Sequence, residues 1–303
     1  MLLRFAAAVC LVAVLRVDSL SLEDIPESPE NGDLWVVLVA GSNGWYNYRH
    51  QADVCHAYQI VSAHGIPDDH IIVMMYDDIA NNEENPTPGI IINHPNGTDV
   101  YKGVVKDYTH SAVNPKTFLQ VLKGEKTLNG TGKVLKSTEK DNVFVYFADH
   151  GAKGLVAFGE EFLRATELNA AIKSMNEKKM FSKLLFYMEA CESGSMFQGL
   201  LDPKMNVFAT TASNATTSSY ACYYDPLRKT FLGDVYSIKW LEDSDKENIE
   251  KETLEEQYRI VKKETNTSTV CQFGNMDISK LTVGSFQGLK PTVSINLPLS
   301  GSY

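Results

Sequence analysis

Three short runs constrain the fold of this chain more than any other feature. Leu34 to Ala40 (LWVVLVA), Asn142 to Ala148 (NVFVYFA) and Leu184 to Met188 (LLFYM) are apolar at almost every position. A strand with one wet face alternates apolar and polar residues, whereas a strand covered on both faces reads as a continuous apolar run. Between these runs the period changes. Val54, Ala57, Tyr58 and Val61 recur at i, i+3, i+4 and i+7, and Leu168, Ala171, Ile172 and Met175 form a second stripe. Strands alternating with helix-period stretches predict an α/β fold with a mostly parallel central sheet flanked by helices on both faces.

The rest of the chain extends that pattern. Ile71 to Tyr76 and Val207 to Thr211 read as strands, and Leu155 to Phe158 as a further one. Helices are expected near Pro115 to Leu122, around Tyr236 and Trp240, and around Leu254 and Tyr258. Residues Asp77 to Lys106, rich in Asn, Pro, Gly and Asp, read as a long loop with a small hairpin; loops of that length in compact domains usually serve function. The helical stripes are core faces. A length of 303 residues accommodates two average domains or one large α/β domain.

Residues 1–19 read as a secretory signal peptide, with Arg4 ahead of an apolar run from Phe5 to Leu15. Cys10 would leave with it, and Cys55, Cys191, Cys222 and Cys271 remain. Asn96, Asn129, Asn214 and Asn266 each open an N-glycosylation sequon. The expected destination is the secretory pathway, ending in a lysosome or endolysosome or outside the cell. A net charge of −10 argues against a nucleic-acid partner. No span of a membrane and no cofactor are expected.

Two predicted strands end in reactive side chains. One runs into Asp149-His150-Gly151, the other into Glu189-Ala190-Cys191-Glu192-Ser193-Gly194. Ligands of parallel α/β sheets bind beyond the carboxyl ends of the strands. Taken singly, Cys191 fits a buried thiol and His150 a turn residue. Placed together after two strands, they form a thiol nucleophile and its proton-transfer partner. Gly151 permits close backbone approach, so its N–H could join that of Cys191 in an oxyanion hole. Metal-ligand spacing is lacking, and no metal is expected. His64 and His70 read as solvated, and Cys55 and Cys222 as buried free thiols.

The same residues resemble the legumain family of asparaginyl endopeptidases. The likeness includes His150-Gly, Glu189-Ala-Cys-Glu-Ser-Gly-Ser, Ala40-Gly-Ser-Asn-Gly-Trp-Tyr-Asn47-Tyr-Arg49-His50-Gln-Ala-Asp53, Met74-Met-Tyr-Asp-Asp78, Asn85-Pro-Thr-Pro-Gly89 and Ser218-Ser-Tyr-Ala-Cys-Tyr-Tyr-Asp225. It runs from about Trp35 to about Gly288. The resemblance implies a caspase-like peptidase domain over 20–288. It places the nucleophile on Cys191, the histidine on His150 and a supporting amide on Asn47. It assigns the pocket for the residue before the cut bond to Arg49, His50, Glu189, Ser219 and Asp234, with Ser218 nearby. A carboxamide offers one acceptor oxygen and a two-donor nitrogen, so Arg49 suits the oxygen and a carboxylate suits the nitrogen. Aspartate at that position should be accepted only near or below its ordinary pKa of about 3.9.

By the same resemblance Asp149 is a candidate for succinimide formation, which motivates a peptide-ligase alternative. Cystatin-type inhibitors are expected partners beside Asn-containing protein substrates. The family's helical C-terminal prodomain has no counterpart before Tyr303, and residues 289–303 read as a tail without helical period. Lys123-Gly-Glu125 stands where some relatives carry Arg-Gly-Asp, so integrin contact is not carried over. An inactive truncated glycoprotein acting by binding is the alternative from outside the enzymes.

Overall fold

The computed structural model describes residues 32–289. The expected signal peptide and the expected tail from 290 on lie outside the described residues.

Strand β1 (Leu34–Ala40) and helix α1 (Tyr48–Ala63) open the fold, followed by β2 (Ile71–Met74) and α2 (Pro115–Leu122). The third strand, β3 (Asn142–Ala148), leads into a small antiparallel sheet, β4 (Gly151–Ala152), β5 (Leu155–Phe158) and β6 (Glu161–Arg164). Helix α3 (Ala165–Glu177), β7 (Lys183–Glu189) and β8 (Val207–Thr211) come next. A hairpin of β9 (Ala221–Asp225) and β10 (Thr230–Asp234) precedes α4 (Val235–Lys246), α5 (Leu254–Glu264), β11 (Cys271–Gly274) and α6 (Gly284–Gln287).

The main sheet has the order β11-β8-β7-β3-β1-β2. All its pairings are parallel except β11 against β8. The apolar runs lie in the middle because middle strands are covered on both faces. Val36, Leu38 and Ala40 point into one core with residues of α1, α4, α5 and α6, such as Val54, Trp240, Leu254 and Phe286. Trp35, Val37 and Val39 point into the other, against Phe118, Val121, Leu168 and Ile172 of α2 and α3. Truncating the fully buried Leu38 to Ala would cost about 2–5 kcal/mol. The expected α/β architecture, with helices on both faces, is the one observed.

Four details refine or correct the sequence reading. Leu155–Phe158 does form a strand, but in the small sheet, where Phe158 packs against Phe118 and Phe147. Residues 77–106 contain turns and no strand, so the expected hairpin is missing. His64 is buried, not solvated: its Nδ1 lies 3.2 Å from the Gln287 carbonyl oxygen. His70 is half-buried and stacks on Trp35.

Candidate active site

Register brings the chemistry together. Ala40 of β1 pairs with Ala148 of β3, and Ala148 with Glu189 of β7, so three neighbouring strands end at one level. The loops that leave them carry Asn47, His150 and Cys191.

The loop after β1 is held at both ends. The Gly44 N–H donates to Asp78 Oδ2 at 2.7 Å, and Gln51 Nε2 donates to Asp78 Oδ1 at 2.7 Å. Trp45 Nε1 donates to the Arg228 carbonyl at 2.8 Å, which ties the short turn Trp45–Asn47 to the β9–β10 hairpin. Asn47 Nδ2 donates to the Asn43 carbonyl at 2.9 Å, leaving its Oδ1 2.8 Å from His150 Nε2. Burial, then the Arg49 charge, hold the His150 imidazole below its ordinary range.

The loop after β7 turns sharply. Glu192 has φ 53°, and its N–H donates to the Thr217 carbonyl at 2.8 Å. Ser213 Oγ donates to the Ala190 carbonyl at 3.0 Å. Cys191 is half-buried, with its Sγ 3.7 Å from the Ser219 carbonyl oxygen. The loops after β3 and β7 touch through backbone: a Cβ on Gly151 would sit 2.4 Å from the Cys191 carbonyl oxygen, so only glycine fits.

Beside these loops lies a cluster of buried charged groups. Arg49 Nε donates to Asp234 Oδ1 at 2.8 Å and Nη1 to the Tyr46 carbonyl at 3.1 Å; Nη2 takes part in neither bond. His50 Nδ1 lies 2.7 Å from Ser42 Oγ and 3.6 Å from Asp149 Oδ1, while its Nε2 lies 3.5 Å from Asp234 Oδ2. Burial, then Arg49, keep His50 well below the usual imidazole range. Glu189 Oε2 accepts from the N–H and Oγ of Ser237 at 3.0 Å each. Its Oε1 is buried with no hydrogen-bond partner among the described residues. Burial, then the Asp234 charge, push Glu189 up to about 8. Burial likewise pushes Asp149 up to about 8, against the bond from the His150 N–H at 2.6 Å.

The sequence-predicted pocket residues Arg49, His50, Glu189 and Asp234 thus converge. Ser219 joins them through its carbonyl contact with Cys191, and Ser218 is exposed next to it. The sequence reading missed Ser42, Gln51, Asp53, Asp78 and Asn93, which support these groups. One signal was available: Arg49, His50, Gln51 and Asp53 are polar yet all buried in the first turns of α1. His50, Asp149 and His150 place one ligand atom each within 4.8 Å of one another, a spacing that could hold a metal ion.

The other thiols stand apart. Cys55, Cys222 and Cys271 are free; burial raises all three, and Cys271 is half-exposed on the edge strand. Asn96, Asn129 and Asn266 are exposed, whereas Asn214 is half-buried beside the Cys191 loop.

Comparison with known proteins identifies the family. Residues 34–289 match the model of the peptidase C13 family. Legumain of Bos taurus is 60% identical over 295 residues, covering 96% of this chain and 67% of that protein. Legumain of Homo sapiens is 57% identical, covering 95% and 67%. The vacuolar-processing enzyme delta-isozyme of Arabidopsis thaliana is 48% identical, covering 95% and 67%. Among solved structures, caspase-1 of Spodoptera frugiperda aligns with a TM-score of 0.47 at 9% identity, over 93% of this chain and 99% of its own. From Val36 on β1 to the Cys191 loop and beyond, one family pattern covers the described fold: the chain belongs to the peptidase C13 family.

Proposed function

We propose that this chain is a cysteine endopeptidase that cuts peptide bonds after asparagine, with Cys191 as nucleophile. Cys191 passes its thiol proton to His150, and its thiolate sulfur attacks the carbonyl carbon of the asparagine, forming a tetrahedral adduct. The C–N bond then breaks, and the leaving amine takes that proton from His150. Water gives a proton to His150 as its oxygen attacks the resulting thioester, the C–S bond breaks, and the acid product leaves as His150 returns the proton to the Cys191 sulfur. Asn47 holds the imidazole, and the N–H groups of Gly151 and Cys191 face the developing oxyanion.

The single observation that carries the specificity is the unpaired Glu189 Oε1 buried beside the Arg49–Asp234 pair. A buried acceptor without a partner is costly. A carboxamide satisfies the site: Arg49 Nη2 donates to its oxygen, and its nitrogen donates to Glu189 and Asp234. Ser218 and Ser219 flank the entrance. An apolar side chain would leave these groups unpaired, so the site discriminates against it by roughly 10⁴-fold. His50 fills the back of the pocket and separates Asp149 from Asp234.

Among the described residues no helix is long and apolar enough to cross a membrane. The proposed route is the secretory pathway to an acidic compartment, with glycans on the exposed Asn96, Asn129 and Asn266 and a poorer acceptor at Asn214. Cystatin-type inhibitors would act at the same open site.

Peptides identical except for Asn, Gln, Asp or Leu before the cut bond test this reading. Asn should lead by at least about 10³-fold over Leu at acidic pH. Asp should approach Asn only as the pH falls toward about 4. Equal turnover of Asn and Asp peptides at neutral pH would contradict the pocket.

A further inference from the structure

Behind the pocket lies a layer of buried polar groups that no substrate reaches. Asp53 is fully buried, and Asn93 is 2% exposed. Arg49 and Asp53 are one turn apart on α1 and so share a face, and that face meets β10. Both grip the same residue. Arg49 holds the Asp234 side chain through Oδ1, and Asp53 Oδ2 accepts the Asp234 N–H at 3.2 Å. Asn93 closes the arrangement from the long loop: its Nδ2 donates to Asp53 Oδ1 at 2.7 Å and to the Leu232 carbonyl at 2.8 Å. Between the two tethered residues, a Cβ on Gly233 would lie 3.1 Å from Asp53 Oδ1 and 2.5 Å from Ile238 Cγ1. Only a glycine lets β10 approach α1 this closely.

We propose that Asp53 and Asn93 are positioning residues that fix Leu232–Asp234, and so set the acidic wall of the asparagine pocket. The proposal rests on the reading of Arg49 and Asp234 as pocket residues and adds what holds them. The chemistry requires an acid at 53. Both of its oxygens accept from donors, the Asp234 N–H and Asn93 Nδ2. An asparagine there has one acceptor and one donor, so one bond becomes a clash of donors. Asn93 cannot simply rotate to relieve it, because its Nδ2 also serves the Leu232 carbonyl.

The test compares the whole chain with Asp53→Asn, Asn93→Ser and the double variant Asp53→Asn/Asn93→Ser. Asp53→Asn should raise KM for a peptide with Asn before the cut bond by about tenfold or more, with kcat within about threefold. Alkylation of Cys191 by iodoacetamide, which needs no pocket, should stay within about twofold of the parent. In the double variant, serine removes the Nδ2 that would clash with a donor at 53. Its KM should stay within about threefold of that of Asp53→Asn alone instead of showing the product of the two single effects, which independent losses of charge or packing would give. If Asp53→Asn does not fold, Asn93→Ser decides, with an expected KM rise of about three- to tenfold. Unchanged KM in the folded variants, or a double variant whose KM rise is the product of the two single rises, overturns the proposal. A parent chain that does not cleave after asparagine breaks the pocket reading itself, so the two failures are distinguishable.

Discussion

Asn47 Oδ1 sits 2.8 Å from His150 Nε2, and the direction of that contact is fixed from behind. Because Asn47 Nδ2 is committed to the Asn43 carbonyl, its oxygen must face the ring. His150 therefore donates through Nε2, which leaves Nδ1 as the nitrogen for proton transfer. A neutral amide sets the tautomer without adding charge.

Removing that amide should slow the chemistry and spare binding. Asn47→Ala is expected to lower kcat by roughly 10–100-fold with KM nearly unchanged, since orienting the imidazole is one part of the 10²–10⁴ available from general acid–base catalysis. Asn47→Asp should shift the acid limb of the rate profile upward, because a carboxylate beside the ring favours imidazolium. Steady-state kinetics from about pH 4 to 7 on both variants checks this. A pure KM effect in Asn47→Ala would contradict the positioning role.

The Arg49–Asp234 pair is buried, and breaking it on one side strands the other charge. Asp234→Ala should cost about 3–5 kcal/mol of stability. It should also raise KM for asparagine peptides far more than it lowers the rate of Cys191 alkylation. Denaturant unfolding and alkylation kinetics read the two effects separately. A variant as stable as the parent would show that Arg49 finds another partner.

Acidity should stabilise the fold. Glu189 and Asp149 are both pushed up to about 8 by burial, from ordinary values of 4.5 and 3.8. Between those limits the folded state keeps protons that the unfolded chain has released. Stability is therefore fully present below pH 4 and is lost as the pH rises through 8. The melting temperature of Cys191→Ser, used to prevent self-cleavage, should fall by more than about 5 °C from pH 5 to 8. Glu189→Gln should flatten the slope. A flat or rising profile would contradict these shifts.

Asp149 is arranged for attack by its neighbour's nitrogen. The His150 N–H lies 2.6 Å from Asp149 Oδ1, and burial favours the neutral acid, which loses water more readily than the carboxylate. Cyclisation joins the His150 nitrogen to the Asp149 side-chain carbon and expels one water. Intact-mass measurement after incubation at about pH 4 should show a fraction lighter by about 18 Da, absent from Asp149→Ala. No such species would remove the basis for a succinimide and for ligation through it.

Much of the fold was legible because burial on both faces writes itself into composition. β1, β3 and β7 are continuous apolar runs, and their ends directly exposed His150 and Cys191 as a pair. The hairpin β9–β10 was not legible. Its residues Ala221–Asp225 are mostly half-exposed and do not alternate, since their partner is the opposite strand of the hairpin. His64 looked solvated because nothing near it in sequence reveals the chain segment at Gln287 that covers it. Asp53 and Asn93 were missed for a similar reason. A single amide in a long loop gains meaning only once β10 lies against α1.

Cleavage of a peptide containing one asparagine, at about pH 5.5, by the purified chain and by its Cys191→Ser variant tests the central assignment most directly. The parent should cut once, on the carboxyl side of the asparagine. The variant should keep its melting temperature and lose cleavage by at least about 10³-fold. Cleavage that survives unchanged in Cys191→Ser would contradict the assignment of the nucleophile.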